Sequence, residues 1–152
     1  MRLYLIRHAH ALPIAPGGDP HRTLSPAGHA RALALGEAFA GGQTPFDLRP
    51  TRILSSPATR ADQTARAIAQ ALSLSVEHEP RLGLSSSLDL VAQLVAELLT
   101  AETPAAAMIG HNPDLSNLAH QYGGSHLAPG EVVVCELDRV DAAVRGRAVG
   151  RF

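Results

Sequence analysis

The chain has 152 residues and a formal net charge of −1, a length that suits one domain with one sizeable core. Near-neutral charge gives no general attraction to nucleic acid or anionic lipid, and no apolar run approaches the ~20 residues of a membrane-spanning helix. The only cysteine, Cys135, cannot form an internal disulfide, which suits a reducing compartment. Together these features predict one cytoplasmic domain over residues 1–152 that binds neither nucleic acid nor membrane.

The first predicted element is a buried strand that ends in two polar residues. Leu3 to Ile6 is a short apolar run, and Arg7 and His8 follow it directly. Ligands of an open α/β sheet bind just beyond the carboxyl ends of its strands. The Arg–His pair is therefore either aimed at such a crevice or simply a solvated arginine beside a half-exposed histidine.

A long loop and a helix come next. Residues 11–24 contain three prolines and two glycines, and a loop of this length in a small domain is a candidate functional loop. Its polar side chains could reach toward a ligand or stay in solvent: Asp19, His21 and Arg22. Ser25-Pro26 is typical of a helix start. The helix is expected to reach Ala40, with inward positions at Ala30, Leu33, Ala34 and Phe39.

The second predicted strand leads into a helix with an arginine in its first turn. The strand covers residues 51–55, and Pro57 is typical of a first helical turn, so the helix is expected to run to Leu72. Helix starts attract anions through free N–H groups and the helix dipole. An arginine fork can grip two phosphate oxygens. Arg60 is therefore a candidate phosphate ligand, and the alternative is a plain surface arginine.

The later elements repeat the strand–helix alternation. Strands are expected at 74–78, 105–109, 131–137 and 144–152, a helix at 88–99, and a further helix after Asn112, which could cap it. His111 repeats the arrangement of His8, because it follows a strand and precedes a helix. The whole pattern predicts a three-layer α/β/α sandwich, with a mostly parallel central sheet, helices on both faces and a terminal hairpin.

Three motifs in this order resemble those of the histidine phosphatase superfamily, also called phosphoglycerate-mutase-like. They are Leu5-Ile6-Arg7-His8, Ser56-Pro57-x-x-Arg60 and Gly110-His111-Asn112-Pro113. The resemblance extends to about residue 120, and the length is similar to that of the small branch typified by SixA phosphohistidine phosphatases. It implies a phosphoglycerate-mutase-like fold and a phosphatase without metal or cofactor. It also implies that His8 is the nucleophile and that Arg7, Arg60 and His111 complete the phosphate pocket.

One departure from the family pattern bears on the substrate. Many members carry a glutamate that acts as general acid after the third strand, whereas this chain has Leu84 there and also lacks a capping insertion. An alkoxide leaving group needs a proton, but imidazole, with a pKa of about 6.5, needs far less help. The expected substrate is therefore phosphohistidine on a signalling or phosphocarrier protein. Small phosphate monoesters become the alternative if an acid exists among Asp19, Glu79 and Asp89.

The residues themselves predict how such a site would work. Arg7 and Arg60 should disfavour protonation of His8 and lower its pKa, and a carbonyl on the other ring nitrogen would fix the reactive tautomer. We expect in-line attack by His8, a phosphohistidine intermediate and hydrolysis by water.

Other interpretations stay open at this point. A zinc site could be drawn from His8, His10, His21 and His111, but no cysteine or carboxylate cluster completes it. A non-catalytic phosphate-binding module would use the same pocket without turnover. His10 either lines the pocket mouth or faces solvent, and Asn112 is a further candidate phosphate ligand. The sequence leaves the oligomeric state undetermined, with a monomer among the options.

Overall fold

The structure is a computed structural model that describes all 152 residues. Its strands are β1 Arg2–Arg7, β2 Arg52–Ser55, β3 Val76–His78, β4 Ala105–Gly110, β5 Val132–Val140 and β6 Ala143–Arg151. Its helices are α1 Pro26–Gly41, α2 Thr59–Leu72, α3 Leu88–Thr100 and α4 Asp114–Gln121. The six strands form one sheet in the order β3-β2-β4-β1-β5-β6. In this order β3, β2, β4 and β1 run parallel, and β5 pairs antiparallel with both β1 and β6, which confirms a mostly parallel sheet.

Strand β1 shows why the chain folds into three layers. Successive side chains of a strand point to opposite faces of the sheet. Leu3 and Leu5 pack in one core with α3 and α4, whereas Tyr4 and Ile6 pack in a second core with α1 and α2. A strand that is buried on both faces reads as a continuous apolar run. The predicted helix–sheet–helix arrangement is therefore confirmed.

Helix α1 faces the core with a different side from the one expected. Ala30 and Leu33 are exposed, and the buried positions are Gly28, Ala32, Leu35, Gly36 and Phe39. Only Phe39 was predicted correctly as buried; Ala34 is half-buried. The reason is that two of the buried positions are glycines, which carry no hydrophobic signal but permit close approach, Gly28 to the His10 backbone and Gly36 to helix α2. At Gly36, an added Cβ would lie 2.7 Å from the Ala67 carbonyl oxygen of α2.

We predict that Gly36→Ala lowers the free energy of unfolding by about 1–3 kcal/mol, because α1 and α2 must separate to make room for the methyl group. Gly41→Ala is the matched control on the same helix, since its Cβ would meet nothing within 4 Å. Urea unfolding followed by circular dichroism measures both. Equal stability of the two variants would contradict the proposed close packing.

The parallel strands bring their carboxyl ends to one edge of the sheet. Arg7 pairs with Gly110, and Ser55 pairs with Ile109. The residues that follow β1, β2 and β4 therefore meet at this edge, beside the start of α2. Gly130 borders this end of β1, because its N–H donates to the carbonyl oxygens of Arg7 and His8, at 3.0 and 3.1 Å respectively.

The remaining features concern the apolar parts of the chain. No helix is both long enough and apolar enough to cross a membrane.

Cys135 lies fully buried in β5, opposite Leu3 of β1 and Ala148 of β6. Burial raises the pKa of its thiol to about 12, so Cys135 behaves as the small core residue that the sequence predicted.

Candidate active site

His8 follows β1 directly, and both of its ring nitrogens have defined partners. Nδ1 lies 2.8 Å from the Ala9 carbonyl oxygen, and Arg60 Nε lies 3.2 Å from Nε2. Because a carbonyl can only accept a hydrogen bond and the guanidinium can only donate one, Nδ1 carries the proton and Nε2 the lone pair. The ring is therefore held in the tautomer in which Nε2 can attack an electrophile.

The surroundings of His8 keep its ring uncharged. The side chain is buried, and this burial, together with the charges of Arg60 and Arg7, lowers the pKa of His8 to about 4. The bond to the Ala9 carbonyl opposes this effect but does not cancel it. At neutral pH the nucleophilic form is thus the dominant one.

We predict that the His8 ring titrates well below an ordinary histidine, with a midpoint at about pH 4. Above that pH the ring is neutral, so activity limited by His8 should not fall between pH 7 and pH 5. The midpoint can be measured from ring resonances by NMR, with His8→Gln to assign the signal and free histidine in the same buffer as the reference. A midpoint at pH 6 or higher would contradict the electrostatic picture.

Arg60 is the second residue of α2, and its side chain is only 5% exposed. Thr64 lies one turn further along the helix and ties the helix to the end of β1. Its hydroxyl donates to the Arg60 carbonyl at 2.8 Å and accepts from the Ala9 N–H at 3.1 Å. Arg60 Nη1 and Nη2 donate to the carbonyl and carboxylate oxygens of Asp19 at 2.7 and 3.1 Å. The guanidinium is therefore fixed beside His8.

Arg7 and His111 each present a buried nitrogen without a partner in the protein. These atoms, Arg7 Nε and His111 Nδ1, are the two buried side-chain polar atoms that lack a hydrogen bond. Arg7 Nη1 donates to the Leu127 carbonyl at 3.2 Å, and His111 Nε2 lies 2.8 Å from the Ser56 hydroxyl. Unpaired buried polar groups are costly and rare. Two of them at one strand edge indicate a site prepared for a ligand with acceptor oxygens.

His111 lies close to His8, with the two ring centroids 5.1 Å apart. Burial, the neighbouring His8 and the charge of Arg60 lower the pKa of His111 to about 3. The Ser56 hydroxyl can donate to Nε2, which leaves a proton on the unpartnered Nδ1. Neutral His111 can then donate a hydrogen bond without adding a charge.

The sequence-predicted quartet thus meets in one place, and the arrangement suits a phosphoryl group. Arg7 and Arg60 supply positive charge, and His111 supplies a neutral donor. A phosphoryl group spreads negative charge over its outer oxygens, so donors fixed around it stabilise both the bound state and the transition state. His8 Nε2 is available to attack the phosphorus atom.

The two weaker site predictions have other contacts. His10 is exposed, and its Nδ1 lies 2.7 Å from the hydroxyl of Ser25, the residue that caps α1. Asn112 does not cap α4, which begins at Asp114. Its amide instead donates to the Leu127 carbonyl at 2.8 Å and accepts from the Ser116 hydroxyl at 2.7 Å. These bonds support the carbonyl that Arg7 also uses, and direct phosphate binding by Asn112 stays a prediction.

The candidate acids are held as anions or lie in solvent. Hydrogen bonds from Arg22 and Arg60 hold the pKa of Asp19 below its usual value, and bonds from Arg81 do the same for Glu79. Asp89 is exposed in the first turn of α3. No group of three or more His, Cys, Asp or Glu side chains is placed to hold a metal ion.

Sequence reasoning missed several contacts of the site. The contact of Ser56 with His111 could have been suspected, because Ser56 lies between a strand and a helix in the motif Ser56-Pro57-x-x-Arg60. No sequence signal marks the carbonyls of Ala9 and Leu127, because every residue carries a carbonyl and only the fold determines which one faces the site. The contact of Asp19 with Arg60 joins positions 41 residues apart, so local sequence patterns do not predict it.

Comparison with known proteins identifies the family. A search of curated proteins finds no match to the chain. The model of the histidine phosphatase superfamily, branch 1, matches residues 3–83. The protein histidine phosphatase SixA complexed with tungstate has a TM-score of 0.86 at 22% identity, over 99% of this chain and 96% of that one.

Two further structures have the same fold. A SixA protein from Agrobacterium tumefaciens has a TM-score of 0.82 at 26% identity, over 99% of this chain and 97% of that one. A mycobacterial glucosyl-3-phosphoglycerate phosphatase has a TM-score of 0.74 at 19% identity, over 97% and 96%. The family match covers more than half of the chain and includes Arg7, His8 and Arg60. The chain therefore belongs to the histidine phosphatase superfamily, branch 1.

Proposed function

We propose that this protein is a phosphohistidine phosphatase that works through a phosphohistidine intermediate on His8. One observation supports this most strongly: neutral His8 carries a lone pair on Nε2 that accepts from Arg60 Nε, at the edge of the sheet that holds the unpaired donors of Arg7 and His111. A phosphoryl oxygen can satisfy each donor while the phosphorus atom lies in front of Nε2. A pocket for binding alone would have no use for that nucleophile.

The reaction follows in two steps. His8 Nε2 forms a bond to phosphorus, the bond to the leaving group breaks, and the leaving nitrogen takes a proton from solvent. The Ala9 carbonyl accepts from Nδ1 and stabilises the positive charge that the ring acquires. Water then attacks the phosphorus atom and gives up a proton to solvent, the bond between phosphorus and Nε2 breaks, inorganic phosphate leaves, and His8 recovers its lone pair. Arg7, Arg60 and His111 hold the outer oxygens in both steps.

The leaving group argues for phosphohistidine as the substrate. Asp19 and Glu79 are both paired with arginines that keep them ionised, so neither is suited to protonate an alkoxide. An imidazole leaving group needs much less acid assistance. The likeness to the SixA protein histidine phosphatase supports a protein-borne substrate, and we propose a signalling or phosphocarrier protein. The glucosyl-3-phosphoglycerate phosphatase of the same fold keeps small phosphate esters as the alternative.

Side-by-side turnover, measured with and without a chelator, tests the proposal. The substrates are a phosphohistidine-bearing phosphotransfer protein and a panel of small phosphate monoesters. We expect a strong preference for the phosphohistidine protein. Preference for one monoester would retain the His8 mechanism but overturn the substrate. Phosphate binding without turnover of either would favour a binding module, and loss of activity with chelator would point to a metal.

We propose further that residues 1–152 act as one domain in the cytoplasm. The single, fully buried cysteine suits a reducing compartment. The monomeric state stays a prediction, which light scattering of the purified protein would measure.

A further inference from the structure

The guanidinium of Arg60 uses its two edges for different partners. On the outer edge, Nη1 donates to the Asp19 carbonyl at 2.7 Å and Nη2 donates to the Asp19 carboxylate at 3.1 Å. On the inner edge, Nε donates to His8 Nε2 at 3.2 Å. A guanidinium carries five N–H donors in one plane. Asp19 therefore takes two of them and leaves the inner edge, which comprises Nε and the second Nη2 hydrogen, on the side of His8.

Asp19 is itself held by its own loop. Its other carboxylate oxygen accepts from Arg22 Nη1 at 2.8 Å, and Arg22 Nε donates to the Leu12 carbonyl at 2.7 Å. The loop closes through a bridge between Ala11 and Leu24. The Asp19 side chain is 51% exposed, whereas that of Arg60 is 5% exposed. A surface loop thus brings a fixed carboxylate to a buried arginine.

We propose that Asp19 is a positioning residue for phosphate binding. It holds the outer edge of Arg60, so that the inner edge faces the phosphoryl group in front of His8 Nε2. Asp19 does not touch the substrate in this arrangement. Its meaning for catalysis rests on the phosphatase function proposed above. In the competing hypothesis, the Asp19 carboxylate occupies the position on Arg60 where phosphate would bind. That hypothesis predicts that phosphate binds more tightly once the carboxylate is removed.

The test compares Asp19→Ala with Asp19→Asn. Both variants remove the same negative charge, but only asparagine keeps a side-chain oxygen that can accept from Arg60 Nη2. The difference between them therefore isolates the hydrogen bond from the charge. Calorimetry measures the dissociation constant of inorganic phosphate, which we expect to be about 2- to 10-fold higher in Asp19→Ala than in Asp19→Asn. The reason is that phosphate must then immobilise the long Arg60 side chain as it binds.

Catalysis provides the second readout. We expect kcat/KM with the phosphohistidine protein to be at least about 10-fold lower in Asp19→Ala than in Asp19→Asn, mostly through kcat, because a misplaced donor weakens the transition state most. Asp47→Asn is the matched control. Asp47 is 53% exposed and bonds to Arg2 at 3.0 Å, at the opposite end of β1. It should bind phosphate and turn over as the unaltered protein does.

The outcomes separate this proposal from the proposed function. Equal phosphate affinity in the two Asp19 variants, or tighter binding by Asp19→Ala, would overturn the positioning role. An unaltered protein that binds phosphate but turns over no substrate would overturn the phosphatase function, while the two phosphate affinities would still decide the role of Asp19.

Discussion

Replacing His8 with alanine is expected to lower kcat by about 10⁴-fold or more, because it removes the atom that accepts the phosphoryl group. The variant should still bind inorganic phosphate, since the donors of Arg7, Arg60 and His111 remain. Loss of activity together with retained binding is the signature of a missing nucleophile. Calorimetry with phosphate and single-turnover kinetics measure the two properties.

Inactivity of the alanine variant alone would not identify the nucleophile, so the intermediate must also be located. The unaltered protein is mixed with labelled substrate, quenched in alkali to preserve the phosphorus–nitrogen bond, and mapped by mass spectrometry. The label is expected on His8. His29→Ala, which alters an exposed histidine of α1, is the control and should react normally. A label on any other residue would overturn the assignment.

Arg60→Ala is expected to lower kcat/KM by about 10²- to 10³-fold and to weaken phosphate binding, because it removes charge and directed donors from a buried site. Arg60→Lys should restore only part of the activity, since an ammonium group cannot reproduce the planar fork that faces His8. Steady-state kinetics and phosphate calorimetry on the same preparations measure both effects.

Arg66→Ala is the matched control for this experiment. Arg66 lies on the same helix, its side chain is 65% exposed, and it pairs with the half-buried Asp62 one turn away. A surface pair of this kind contributes little, so the control should stay within about 2-fold of the unaltered protein. If both arginine variants lost activity equally, general charge would explain the effect and a specific role for Arg60 would be ruled out.

The parts of the fold that follow local rules could be predicted from the sequence. The apolar run from Leu3 to Ile6 is continuous because β1 is buried on both faces. Ser25 caps α1 with its hydroxyl, as its place before Pro26 predicts, and the Gly28 N–H donates to that hydroxyl at 3.1 Å. His8 and His111 could be named because polar residues directly after buried strands stand out in the sequence.

The parts that depend on contacts distant in sequence could not be predicted. The order of the strands places β4 between β1 and β2, and no local pattern encodes that order. The inward face of α1 is set in part by Gly36, which contacts α2, and by Gly28, which contacts the His10 backbone. The connection between β5 and β6 was expected to span residues 138–143. It is only the two-residue turn Asp141–Ala142, because Val140 already pairs with Ala143.

The buried thiol of Cys135 provides a built-in probe for unfolding of the sheet, because the rate of its alkylation can be measured. Alkylating reagents react with an accessible thiolate, and Cys135 lies between β1 and β6 with no exposed surface. Modification therefore requires β5 to separate from its neighbours, and its rate measures the population of the opened form. While the protein stays folded, its activity should accordingly survive exposure to an alkylating reagent, which sets this protein apart from phosphatases that use a cysteine nucleophile.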